Sequence, residues 1–500
     1  MSVSISLIFL MVSFALAASL WLLLIRYHDE QINLSDLPVA LIAGPLLLSF
    51  VHEVTASLGW FGAPSYVLTI FVLLIAANLA AIYRNPVFAR LVALYYKNLT
   101  ANPPGLGTLL ILAFIGFGCV ALFLEAYLFP LTANDPLEYA TSARLIYQAG
   151  DLANYPYLDA AQTGGYYGPW SHPLGYVMLM TWGFAIQDTA AVAGVVKFIT
   201  PYFAIASVFL VLTIVWEHTK SLFAAALAAL ALLYTPIFFL LAMDSHVDPI
   251  RLASMVASVY LFGCLMRDPS ARNVIAAGLV LGMALYSHSI NVVLLPLLVV
   301  MGAIYILASA TRLRHSLTVG VVMAIGLIPV LPRFWSNLQH FGNIIADAGA
   351  VPLWQLDHLH YETYFKVARE ISTVSDRVIN GFLKPFSDLR FFGLWALILI
   401  LIGGVTLLRQ RPELRSIITH MSQPSLSSAF YWALLGIFGM MFLSLALNLD
   451  VFIKNARYML TIQPLIAIVL GFVVNDLIRN EIAKRPGMTA NAASWLGLPR

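Results

Sequence analysis

The chain has 500 residues, 61% of them hydrophobic and only 10% charged, with a mean hydropathy of +0.86. A soluble domain of that length would have to cover its surface in apolar patches, so the composition reads as a polytopic membrane protein. With 27 Lys+Arg against 24 Asp+Glu the net charge is +3, too small an imbalance to argue for a nucleic-acid partner.

In chain order, apolar windows long enough to cross a bilayer fall near 3–25, 37–58, 64–83, 107–129, 190–216, 221–242, 250–266, 274–287, 290–309, 316–332, 391–408, 429–447 and 458–478. The expected architecture is therefore an all-α bundle of about 13 transmembrane helices, with 274–287 the shortest member. The first window lacks a basic flank before it and stays apolar through Leu24, which reads as a retained span rather than a signal peptide. Cys119 and Cys264 both lie inside apolar runs, so neither a disulfide framework nor a thiolate metal site is indicated. No internal repeat is visible, and the tail after about Asn480 is polar.

Charge then sets sidedness. Arg84, Arg90 and Lys97, Arg267 and Arg272, Arg312 and Arg314, Arg409, Arg411 and Arg415, and Arg479, Lys484 and Arg485 all fall on one side if the spans alternate. By the positive-inside rule that side is cytoplasmic. The other side receives 130–189, the turns at 243–249 and 287–289, the segment 333–390, and 448–457. The uncommon polar residues concentrate there.

The first exoplasmic segment opens with Asp135-Pro136-Leu137-Glu138, and a helix is expected from about Pro136 to Ala149, closed by Gly150. A purely structural reading makes Asp135 the N-cap, Pro136 the first helical residue and Glu138 the reciprocal partner of a capping box. The same Asp-Pro pair recurs at Asp248-Pro249 and, on the cytoplasmic side, at Asp268-Pro269, so by itself it signals only a helix start. A functional reading rests on cost: carboxylates at a membrane interface are expensive unless paired or used. In that reading a carboxylate whose pKa is raised by the interface and by its acidic neighbour can serve as a general base near neutral pH.

Further along, MDSHVDPIR (243–251) places Asp244, His246 and Asp248 in alternation. In an extended turn that spacing aims three side chains at one divalent cation, and the alternative is that Asp248 caps the following helix while the other two are solvated. His172 and His288 are exoplasmic-side histidines that either bind substrate or hydrogen-bond at the interface. Arg251, Arg333, Lys454 and Arg457 supply positive charge on that side, with snorkelling toward lipid headgroups as the plain alternative. Lys197 lies inside the fifth window.

The order of these features resembles the GT-C superfamily of membrane glycosyltransferases, including aminoarabinose transferases and protein O-mannosyltransferases that use polyprenyl-phosphate sugars. The resemblance rests on Asp135 with Glu138-Tyr139 directly after a span, on Ala143 through Gly150-Asp151 as a helix end, on GPWSHPLGY (168–176), on MDSHVDPIR, and on NARYMLTIQPLIAI (455–468) at the start of a late span. It implies juxtamembrane helices in the loop 130–189 of a catalytic module at 107–332, an exoplasmic loop at 333–390, a second membrane module at 391–480 and a cytoplasmic tail at 481–500. Residues 1–106, three extra spans, fall outside it.

What the resemblance implies for function is a multi-pass inner-membrane enzyme that moves a sugar from a polyprenyl-phosphate donor to an exoplasmic glycan, lipid or protein, with inversion. Asp135 would be the base, Glu138 would share that role, orient the acceptor or bind a metal, and Tyr139 would contact substrate. Arg457, Lys454 and Arg251 would hold the departing phosphate, which leaves as an anion and calls for fixed positive charge. A transporter or flippase would instead carry ionisable groups at mid-membrane and paired repeats. A ligase or polymerase of the O-antigen type would rely on the late loop, with Arg333, His358 and His360.

Overall fold

The computed structural model describes residues 2–25, 32–82, 86–158, 168–170, 172–308, 312–342, 425–446 and 460–484, with short pieces between 344 and 423. Among them the chain is helical and without strands: α1 (Val3–Ile25), α2 (Asp36–Ser57), α3 (Tyr66–Ile82), α4 (Val87–Ala101), α5 (Leu106–Leu128), α6 (Asn134–Ala149), α7 (Gly175–Gln187), α8 (Ile199–Thr219), α9 (Leu222–Leu233) and α10 (Pro236–Met243). Then follow α11 (Asp248–Arg267), α12 (Ala271–Ser287), α13 (Leu294–Ala308), α14 (Arg312–Leu327), α15 (Leu331–Phe341), α16 (Leu426–Ala446) and α17 (Gln463–Lys484).

Nine described helices, counting continuous bent pieces together, are long and apolar enough to cross a membrane, or up to 11 if each sharply bent pair is one span. This is fewer than the 13 windows read from the sequence: α3, in the window 64–83, has only 17 residues, and three further windows differ. The window 221–242 is broken, because Pro236 lacks an N–H and bars Thr235 from helical geometry, so α9 and α10 meet at 63°. The window 274–287 forms a helix of only 17 residues, Ala271–Ser287. The window 391–408 lies almost wholly outside the described residues.

The most enclosed span is α11, every residue of which from Asp248 to Met266 is buried. A helix apolar on all sides belongs in the middle of a bundle, and α11 packs against α8, α12 and α16 and touches α2. Residues 1–106 are not peripheral to this core. Helix α2 packs on α7 and α8, Ser49 Oγ donates to the Gly175 carbonyl at 2.7 Å, and Tyr202 donates to the Leu41 carbonyl at 2.8 Å. The His52 ring stacks on Trp182 at 4.4 Å, whose indole N–H donates to Ser13 at 3.0 Å.

Helix α6 starts within two residues of its expected position and ends at Gly150, as its sequence predicts. Gly150 has φ +74°, the left-handed conformation that closes helices, and its N–H returns to the Ile146 carbonyl at 2.9 Å. Its own carbonyl accepts from Gly62 N–H at 2.9 Å, and a Cβ on Gly150 would stand 2.7 Å from the Gly62 Cα. Gly150→Ala therefore combines left-handed strain of about 1–2 kcal/mol with a backbone clash that pries residues 1–106 from α6. A lower thermal-unfolding midpoint in detergent is the expected result, and an unchanged midpoint would show that this junction carries no stability.

Candidate active site

Asp135 lies in the first turn of α6, and Ala133, extended at φ −78° and ψ 148°, stands at the N-cap where Asp135 was expected. The helix starts one residue earlier than the Asp-Pro signal implies, which moves Asp135 inside the first turn. There the partial positive charge of the helix N-terminus favours its anionic form. Asp135 Oδ2 faces His246 Nδ1 at 3.8 Å, with the carboxylate side chain 28% exposed and the imidazole 10%. That distance is an electrostatic contact rather than a hydrogen bond, and the carboxylate keeps an open edge.

His246 is held there by its backbone. The turn between α10 and α11 reverses at Ser245, whose φ is +58°. Tyr176 donates to the Ser245 carbonyl at 2.6 Å and Thr200 to the His246 carbonyl at 3.0 Å. Because Ser245 is left-handed and α11 starts at Asp248, the alternation Asp244, His246, Asp248 does not behave as an extended strand. Asp244 ends α10 and lines a polar cavity of about 120 Å3 with Glu125, Thr132, Ser245 and Lys197. His246 turns to Asp135, and Asp248 turns back along its own helix to Arg251. No group of three His, Cys, Asp or Glu side chains poised for a metal ion occurs among the described residues: His246 and Asp248 face different partners, and Asp244 lines the cavity.

Arg251 is fully buried, which overturns the reading of an interfacial side chain reaching toward headgroups. Its Nε donates to Asp248 Oδ1 at 2.8 Å, its Nη2 lies 2.7 Å from the same oxygen in an ion pair, and Nη1 donates to Thr461 Oγ1 at 2.8 Å. A guanidinium so engaged clamps α11 to the start of the last span, and to serve as a phosphate ligand it would have to release Asp248. Lys454 and Arg457, the other phosphate candidates, lie outside the described residues, as do His358 and His360. Lys197 lies in the short 3-10 turn Gly194–Phe198 that opens the span Gly194–Thr219, at one end of it. Its Nζ donates to the Phe129 carbonyl at 2.7 Å, at the mouth of the Asp244 cavity.

Tyr139, His172 and His288 do come together. Tyr139, one turn beyond Asp135 and buried, has its ring 6.3 Å from His172, and the two histidine rings stand 4.9 Å apart. His172 Nδ1 pairs with Ser289 Oγ at 2.8 Å. Ser289 also lines a small cavity with Pro173, Asn337 and Arg333. Arg333 is only 4% exposed and lies over the Tyr155 ring at 4.9 Å, again not a snorkelling side chain. Its electrostatic neighbours are Tyr155 and Glu53. Burial pushes the Tyr155 and Tyr157 hydroxyls up to about 12, so both stay protonated. Glu53, Tyr155 and Ser289 went unnoticed in the sequence, where a lone Glu inside an apolar window was the available signal.

From Asp248 and Arg251 through His246, Asp135, Tyr139 and the histidine pair to Arg333, polar side chains thus run across one end of the bundle. Residues 171–335 match the family model of the dolichyl-phosphate-mannose-protein mannosyltransferases. That match takes in His172, His246, Arg251, His288 and Arg333 and begins after Asp135 and Glu138. It agrees with the GT-C resemblance carried by the motif order. No curated protein matches the chain. A solved structure, the archaeal oligosaccharyltransferase AglB from Archaeoglobus fulgidus in complex with an inhibitory peptide and a dolichol-phosphate, is similar over 76% of this chain and 51% of its own, at 16% identity and a TM-score of 0.47. The chain spans about half the length of that oligosaccharyltransferase.

Proposed function

We propose that the protein transfers a hexose or pentose from a polyprenyl-phosphate donor to a glycan, lipid or protein acceptor on the exoplasmic face of the inner membrane, with inversion. The observation that carries this reading is the Asp135 carboxylate: it is partly open and faces His246 at 3.8 Å across two segments far apart in sequence. The family match over 171–335, whose description names a lipid-phosphate-linked mannose, supports the donor class.

In this reaction an acceptor hydroxyl attacks the anomeric carbon from the face opposite the phosphate and passes its proton to Asp135. The bond from the anomeric carbon to the phosphate oxygen breaks, and its electron pair leaves with the polyprenyl phosphate. One displacement with one base and no covalent sugar intermediate inverts the configuration. The His246 ring holds the Asp135 carboxylate in place, and Lys197, at the polar cavity beside Asp244, is the described cation placed to meet the departing phosphate.

The test is turnover by the purified protein in nanodiscs, given hexose- and pentose-bearing polyprenyl-phosphate donors with an acceptor extract. Released polyprenyl phosphate in step with transferred sugar is the expected result, and no release from any donor would sink the proposal. In the same assay Lys197→Gln should raise the donor KM about tenfold, the loss of one charge-assisted contact. A donor KM equal to that of the wild type would remove Lys197 from the phosphate site.

A further inference from the structure

Beyond the Asp135–His246 pair, four residues at the same end of the bundle hold buried polar atoms that have no hydrogen-bond partner among the described residues: Glu53 Oε2, Tyr157 Oη, Trp170 Nε1, and Nε and Nη2 of Arg333. Each of the four is more than nine-tenths buried. They form one cluster around Tyr155. The Arg333 guanidinium lies 4.9 Å from the centre of the Tyr155 ring, and the Tyr157 and Trp170 rings each stand 5.8 Å from it and 5.7 Å from each other. Glu53 is within electrostatic reach of both Arg333 and Tyr155.

Leaving so many polar atoms unsatisfied in one place is costly, and native proteins keep such groups where something outside the chain completes them. The mixture of groups says what that is. Arg333 and Trp170 donate, the Glu53 carboxylate accepts, and the Tyr157 hydroxyl does either, between the faces and edges of three aromatic rings. A phosphate or carboxylate would meet the negative charge of Glu53. A neutral, polyhydroxylated ring offers both donors and acceptors on its edge and C–H groups on its faces. The cavity beside Arg333 has room for about one water-sized group, which is one hydroxyl.

We propose that Glu53, Tyr157, Trp170 and Arg333 form a saccharide subsite that takes one hydroxyl-bearing edge of a neutral sugar ring, joined to the reacting centre through Ser289 and His172. This rests on the transfer reaction above and gives α2, within residues 1–106, a part in substrate recognition. The ring belongs either to the donor or to the acceptor.

The test uses the full chain in detergent and an immobilised panel of neutral pyranosides, furanosides and short oligosaccharides. Wild type should be retained by at least one sugar, and Tyr157→Phe and Glu53→Gln should each weaken that retention about tenfold. Tyr157→Phe should not lower the thermal-unfolding midpoint, because it removes only a hydroxyl with no partner among the described residues, whereas Glu53→Gln also changes the charge facing Arg333 and is read by retention. No retention of wild type, or retention unchanged in both variants, overturns the subsite and leaves trapped water as what satisfies these atoms. A midpoint lowered in Tyr157→Phe with retention unchanged overturns it on the same ground. Displacement of the captured sugar by a polyprenyl-phosphate-sugar donor assigns the ring to the donor, and undisturbed capture assigns it to the acceptor. Capture is read without turnover, so it stands or falls separately from the transfer assay.

Discussion

Asp135→Asn is expected to lower sugar transfer by about 10²–10⁴-fold, the usual worth of a positioned general base, while donor binding and the thermal-unfolding midpoint stay at their wild-type values. The separation of these readouts follows from the local structure. An asparagine of nearly the same shape keeps an accepting oxygen at the start of α6, as good an acceptor for helix-start N–H groups as the carboxylate, so stability should not move. It does remove the negative charge facing His246 at 3.8 Å and the ability to take a proton. Glu138→Gln, three residues on, is the internal comparison. If Asp135 is the base, the Glu138 variant retains far more activity than the Asp135 variant. Turnover by Asp135→Asn equal to wild type would mean that the base lies elsewhere, and Asp244 at the Lys197 cavity would be the next group to replace.

Much of this arrangement was legible in the sequence because it follows from local rules. Apolar window length located the spans, and Gly150 marked the end of α6 through a backbone conformation other residues resist. The one-sided distribution of Lys and Arg identified which segments would gather the remaining polar groups, and Asp135, His246, Tyr139, His172 and His288 do converge. What the sequence left open were inferences that needed a specific backbone path. The alternation of Asp244, His246 and Asp248 implies a shared ligand only if Ser245 is extended, and its left-handed φ of +58° sends the three side chains to different partners. Arg251 and Arg333 look alike in sequence, as single cations near span ends, yet both are buried. Apart from Asp248, their partners, Thr461 for one and Tyr155 with Glu53 for the other, lie far away in sequence, a separation that no window-based reading spans.

Arg251→Met should be the most damaging single substitution for stability. It leaves Asp248, buried at the first turn of α11, without the guanidinium that meets its Oδ1 at 2.7 Å. Removing one partner of a buried ion pair costs about 3–5 kcal/mol, because the remaining charge has lost both water and counter-ion. The same step cuts the link from α11 to Thr461. Pairing the substitution with Asp248→Asn should recover a large part of the loss, since the stranded charge is then gone and only the hydrogen bonds are missing. Thermal-unfolding midpoints and monodisperse yield in detergent measure both variants. Transfer activity should not recover with stability. The pair anchors the start of α11 directly behind His246, and without it the 3.8 Å contact to Asp135 loses its rigid support. A double variant as active as wild type would show that the clamp serves the fold alone, and a single Arg251→Met variant as stable as wild type would show that Asp248 finds a second partner when the guanidinium is gone.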